Sequence, residues 1–176
     1  MLVLAACGSE ERRDAGMTDR SYTVAVQRAS FQPRQRLAQR NALVIAVRNA
    51  GEQAIPNLTV TVRGFTDRSG GSRDADRGRD LWIVDRAPTG AGTAFEDTWA
   101  AGRVEPGRTA TLRWAVTPVV AGTHELTYEI APATAGSGRV ELAGGDEPRG
   151  SLTVRVSAEP PRARVDPRTG EVIRQE

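Results

Sequence analysis

Few residues in this chain could do chemistry, and their spacing keeps them apart. The run Asp74-Ala75-Asp76-Arg77-Gly78-Arg79-Asp80 sets carboxylates near one another with a glycine for the bend, the kind of spacing that offers oxygens to calcium. Calcium needs about six or more oxygens in an anionic pocket. Arg73, Arg77 and Arg79 neutralise these carboxylates, and Val84 and Asp85 follow where a closing glutamate is required. A solvated loop held by its own ion pairs is the expectation, with no metal. His124 is the only histidine, and no G-x-S-x-G elbow accompanies it. It is in phase with Leu126, Tyr128 and Ile130, which assigns it to a core margin. Glu125 and Glu129, if on one strand, project together but stand about 13 Å apart, beyond the carboxylate spacing of glycosidases. No catalytic residue and no cofactor is expected.

One cysteine excludes an internal disulfide and a cysteine-based zinc site, and leaves a single thiol to explain. It ends a short apolar tract, Met1–Ala6, in the run Leu4-Ala5-Ala6-Cys7-Gly8, followed by the polar Ser9-Glu10-Glu11-Arg12-Arg13-Asp14. This resembles the lipobox of a bacterial lipoprotein. The resemblance implies cleavage just before Cys7, a diacylglycerol and palmitate-type anchor on its sulfur, and lipid anchorage to a cell membrane on its extracytoplasmic face. Acyl chains at ~0.8 kcal/mol per buried methylene would make release negligible. A secretory signal has a basic start and an apolar region of roughly 7–15 residues. Residues 1–6 are apolar without a positive charge, so either the true start lies upstream of Met1 or Cys7 is incidental. The small-small-Cys-Gly run and the charged tether after it favour the first.

The totals bound the rest. A chain of 176 residues holds one domain of ordinary size with tails. Its 18 glycines and 10 prolines fall short of a disordered composition. No stretch approaches the ~20 apolar residues of a spanning helix. The pI of 9.3 overstates basicity. Net charge is only +2, and with no lysine a small arginine excess carries the pI upward. Arginines and acids interleave, as in Arg73-Asp74-Ala75-Asp76-Arg77, which reads as a mixed solvated surface and excludes the basic stripe of a nucleic-acid binder.

From Ser21 onward the pattern is strict alternation. Tyr22, Val24 and Val26 share one face; so do Leu43, Ile45 and Val47, then Leu58, Val60 and Val62. Leu112, Trp114 and Val116 follow, then Leu126, Tyr128 and Ile130, and finally Leu152, Val154 and Val156. Period two with β-branched residues marks half-buried strands. Turn signals separate them at Asn49-Ala50-Gly51, Pro106-Gly107, Ala121-Gly122 and Gly144-Gly145-Asp146. Strands with one wet face must bury the other on a second sheet. The expected fold is therefore all-β, an Ig-like antiparallel β-sandwich of about seven strands.

The runs Leu43–Gly51, Val104-Glu105-Pro106-Gly107 leading to Leu112-Arg113-Trp114, and Ala121-Gly122-Thr123 opening Leu126–Ile130 resemble the bacterial Ig-like modules of the adhesion-related CARDB type found in envelope proteins. The resemblance covers residues 42–156 and implies a sandwich fold.

The predicted organisation is a lipoprotein signal segment over 1–7, a flexible tether over 8–20, the sandwich over 21–157 and an extended tail over 158–176. A long loop insertion over 64–101 departs from the pattern, with mobile composition in Gly64–Arg79 and an irregular run in Ala87–Ala101. Within it Trp82, Phe95 and Trp99 are the candidate partner-binding residues, because exposed aromatics bury area at little entropic cost. Capping one end of the sandwich is the competing role for Trp99. Trp114, in phase with Leu112 and Val116, reads as core. The function expected is a non-enzymatic, lipid-anchored binding or structural module whose partner is an envelope protein or glycan, not nucleic acid. The alternative is an accessory subunit or hydrolase using carboxylates of the 64–101 loop.

Overall fold

The computed structural model describes residues 21–67, 78–89, 91–132, 138–160 and 163–174. Cys7, Asp74 and Asp76 lie outside them. Every regular element among these residues is a strand. The strands are β1 (Ser21–Ser30), β2 (Arg34–Arg36), β3 (Asn41–Asn49), β4 (Ile55–Arg63), β5 (Thr66–Asp67), β6 (Arg79–Asp80), β7 (Trp82–Arg86) and β8 (Gly92–Phe95). They continue with β9 (Thr98–Val104), β10 (Thr109–Pro118), β11 (Gly122–Ala131), β12 (Arg139–Leu142), β13 (Arg149–Ser157), β14 (Ala163–Val165) and β15 (Val172–Arg174).

Two sheets form the sandwich. The first has the order β12-β1-β3-β10-β7 and the second β2-β13-β11-β4-β9-β8. The chain crosses between the sheets at nearly every connection, so each alternating run buries its apolar face against the opposite layer. Leu43, Ile45, Val47, Leu112, Trp114 and Val116 reach inward from the first sheet, and Leu58, Val60, Val62, Leu126, Ile130, Val154 and Val156 from the second. At ~25 cal/mol per Å² of apolar area, this shared interior is the main stabilising term.

All six alternating runs are strands, and the sandwich is as expected. The pairing is not wholly antiparallel: β12 joins β1, and β2 joins β13, as parallel edges. The strand count among the described residues also exceeds seven, and the 64–101 stretch is not one long loop. Its described residues form β5 to β9. The Ala87–Ala101 region holds β8 and the start of β9, which pair as a hairpin, and β9 also pairs with β4 from Thr98 to Val104. The middle of Thr98–Val104, Ala100-Ala101-Gly102, carries little strand preference. Pairing with β4 imposes the extended conformation, and the register shifts twice, between Ile55 and Leu58 and between Leu58 and Thr59. Within the extended tail Val172 and Ile173 pair with Val165 and Arg164 in a small antiparallel hairpin. The turn between them closes through Gly170 N–H to Asp166 O at 2.8 Å, with Gly170 at φ 74.

Pairing registers fix the two ends. The near end, where β1 starts, carries the turns at 50–54 and 105–108. Asn49 ties both turns together. Its Nδ2 donates to Gln53 O at 2.8 Å and Val104 O at 2.9 Å, and its Oδ1 accepts Gly51 N–H at 3.1 Å. The far end carries residues 31–33, 37–40 and 119–121 and the passage from β4 to β7. There Leu37 N–H donates to Ser157 O and Ala38 N–H to Pro118 O, closing the two sheets over one another.

Candidate functional site

Two of the three aromatic residues proposed as contacts, Trp82 and Trp99, belong to the core. Trp82 is 1% exposed and Trp99 6%. Trp82 points inward because β7 pairs with β10 in the register that sets Trp82 opposite Pro118, while Ile83 faces out and is 50% exposed. Trp82 packs against Phe31 (ring centroids 5.7 Å apart) and edge-on to His124 (5.3 Å), and its indole N–H donates to Gln35 Oε1 at 2.9 Å. Trp99 sits between Phe65 (6.4 Å) and Trp114 (5.2 Å), both nearly perpendicular to it. Trp114 is fully buried. These side chains therefore fill the interior and present no contact surface. Phe95 ends β8 with its backbone paired to Thr98; its side chain lies outside the described part.

The polar candidates are placed apart, and Asp80, Asp85 and His124 each have a structural partner. Asp85 Oδ2 accepts from Thr117 Oγ1 at 2.7 Å and Arg40 Nε at 3.3 Å on the first sheet. Asp80 Oδ1 accepts from Thr66 Oγ1 at 2.9 Å in the small β5–β6 sheet at the far end. His124 Nε2 is 3.1 Å from Val120 O at the start of β11. Glu125 and Glu129 are exposed on the outer face of the second sheet. Glu129 stands directly opposite Arg149 in register. Among the described residues no three His, Cys, Asp or Glu side chains gather to hold a metal.

What remains open to a ligand is the outer faces of the two sheets, and these differ in charge. On the three central strands of the second sheet, Arg63, Arg149 and Arg155 are interspersed with Glu125 and Glu129. A hollow of about 410 Å³ lies there between Thr61, Arg63, Thr127, Glu129, Arg149 and Ser151. Inward of it, Tyr128 lies across Gly150, where an added Cβ would stand 2.5 Å from its hydroxyl. Partial burial raises the Tyr128 hydroxyl above the usual tyrosine range. On the three central strands of the first sheet, the charged residues are Arg28, Arg48 and Arg113, with no acid among them. Register sets these opposite Ala46, Thr109 and Val44, all on the outward side. The flanking strands add Arg86 beside Asp85 on β7 and Arg139 with Glu141 on β12. Sequence order hides this segregation, since acids and arginines alternate along the chain but not across the central strands of the first sheet.

No family model matches the chain, and no curated protein matches it. Solved structures do resemble it. The CARDB domain of a Pyrococcus furiosus protein, crystallised in complex with di-metal ions, superposes with a TM-score of 0.50 at 12% identity over 85% of this chain and 100% of that one. A segment of native alpha-2-macroglobulin from Escherichia coli, spanning domain MG7 to the C-terminus, gives a TM-score of 0.50 at 12% identity, covering 85% of this chain and 21% of that one. At such identities the likeness shows the fold alone. The chain is a two-sheet, Ig-like sandwich with the CARDB-type architecture.

Proposed function

We propose that this chain is a non-enzymatic binding module, held by a lipid on Cys7 at the extracytoplasmic face of a bacterial membrane, whose partner is an envelope protein or glycan. The observation that carries the binding part is the separate engagement of Asp80, Asp85 and His124 by Thr66, by Thr117 with Arg40, and by Val120 with Trp82. Acid–base catalysis needs such groups converging on one substrate within hydrogen-bond reach. Here each is used to hold a different part of the fold, while the outer faces offer surface.

The anchor reading rests on the run around Cys7, and the fold gives it a consistent geometry. The tether enters β1 at Ser21, on the near end. The Ala163–Arg174 hairpin follows β13 at the far end. The test is fractionation of cells making the full chain. The parent protein is expected in the membrane pellet and the Cys7→Ala variant in the soluble fraction. Equal distribution of the two would overturn the anchor.

A further inference from the structure

We infer that the outer face of the first sheet docks an extended phosphate-bearing polymer, with Arg86 and Arg113 as its principal contacts. The inference rests on the binding-module reading and gives that module a ligand class; it does not depend on the anchor.

Four arginines form a diagonal band across β7, β10, β3 and β1. From the registers, Arg86 lies one strand and about two residues from Arg113, so their backbones are about 8 Å apart; Arg113 and Arg28 are about 12 Å apart across two strands. Two of the four are engaged within the fold: Arg28 Nε donates to Ser30 Oγ at 2.8 Å, and Arg48 Nε to Gly107 O at 3.3 Å. Arg86 and Arg113 have no hydrogen bond or ion pair to a described residue. Asp85, the nearest acid in sequence, is taken up by Arg40 and Thr117.

The relief of the face selects the shape of the ligand. Hollows of about 470 Å³ and about 280 Å³ lie on either side of Arg113, the first extending to Arg28, Ser30 and Val44, the second to Arg86 and Thr111. The first has Ala42 and Val44 in its lining and the second Ala115, and Val44, though it faces outward, is only 7% exposed. Long arginine side chains cover such a lining with their stems while the guanidinium stays in water. A flat bilayer would meet the crests of this surface, whereas a narrow chain can lie in the hollows.

The chemistry of the face selects the group. Guanidinium N–H groups beside the Ser30 and Thr111 hydroxyls make it rich in donors, which suits a group bearing only acceptors. Arginine binds phosphate oxygens in a bidentate fork. Nucleic acid carries phosphate too, but sequence-tolerant strand binding also uses exposed rings for stacking. Here all three tryptophans, Phe31 and Phe65 are buried.

The test is titration of the full, unacylated chain with long-chain inorganic polyphosphate at several salt concentrations. Binding is expected to weaken as salt rises. The Arg86→Gln/Arg113→Gln pair should lower affinity about tenfold or more, and Arg63→Gln/Arg149→Gln on the opposite sheet by less than about twofold. Arg113→Lys keeps the charge and loses the fork, so a loss of about threefold is expected, with an unchanged thermal melt. Equal loss in both double variants, or no binding by the parent chain, overturns the inference. So does tighter binding to phosphatidylglycerol vesicles or to single-stranded DNA than to polyphosphate. Retained acylation of Cys7 with no polyphosphate binding would sink this ligand and leave the anchor standing.

Discussion

Trp82 of the first sheet donates its indole N–H to Gln35 of the second, at 2.9 Å inside the sandwich. Gln35 is itself held by its Nε2 donating to Gln32 O at 3.0 Å, and it is the buried residue of a three-residue edge strand. One polar contact thus ties the short β2 to the opposite layer, where apolar burial alone would leave so short a strand weakly specified.

Removing that acceptor should cost more than an average hydrogen bond, because the indole N–H stays buried without a partner. Gln35→Leu is expected to lower unfolding free energy by about 1–3 kcal/mol in urea titrations. Adding Trp82→Phe removes the orphaned donor, so the second change should cost less in the Gln35→Leu background than in the parent. Simple additivity of the two losses would count against the buried bond.

Trp99 gives a sharper contrast between core and contact roles. Its ring is edge-on to Trp114 at 5.2 Å. Trp99→Ala should therefore destabilise by about 3–5 kcal/mol, the usual cost of emptying a large core site. A double-mutant cycle with Trp114→Phe should show coupling, since touching residues are not additive. A variant of unchanged stability would return Trp99 to the surface.

The three tryptophans also show where the sequence is readable. Trp114 sat in an unbroken alternation with Leu112 and Val116, so its inward direction followed from period two. Trp82 lies between Leu81 and Ile83, where apolar neighbours on both sides erase the phase; only pairing with β10 decides it. Trp99 stands among alanines and a glycine, in a strand that exists because β4 templates it. The arginine face was hidden for a related reason. Parity alone places Arg48 and Arg113 outward, but their shared face depends on β3 pairing with β10, a contact between distant segments. Local pattern gave strands and the inner face, while register between strands gave the outer one.

The second sheet carries a pH-dependent element at Tyr128. Burial raises its hydroxyl pKa above the ordinary 10.0. The unfolded chain then loses its proton first, so the stability that Tyr128 contributes is complete below pH 10.0 and declines as pH rises through the raised folded value. Urea titrations across that window should show the decline in the parent and a smaller one in Tyr128→Phe. The same ring occupies the space above Gly150, so Gly150→Ala should displace it and cost about 1–3 kcal/mol. A parent whose stability rises with pH above 10.0 would contradict this assignment.

The central claim, a binding module held by lipid at Cys7, is tested most directly by intact-mass spectrometry of the protein purified from the membranes of its own host. The account predicts a mature chain that begins at Cys7 and carries the mass of a diacylglycerol and any further acyl group. A soluble chain that retains residues 1–6 with an unmodified cysteine would contradict it.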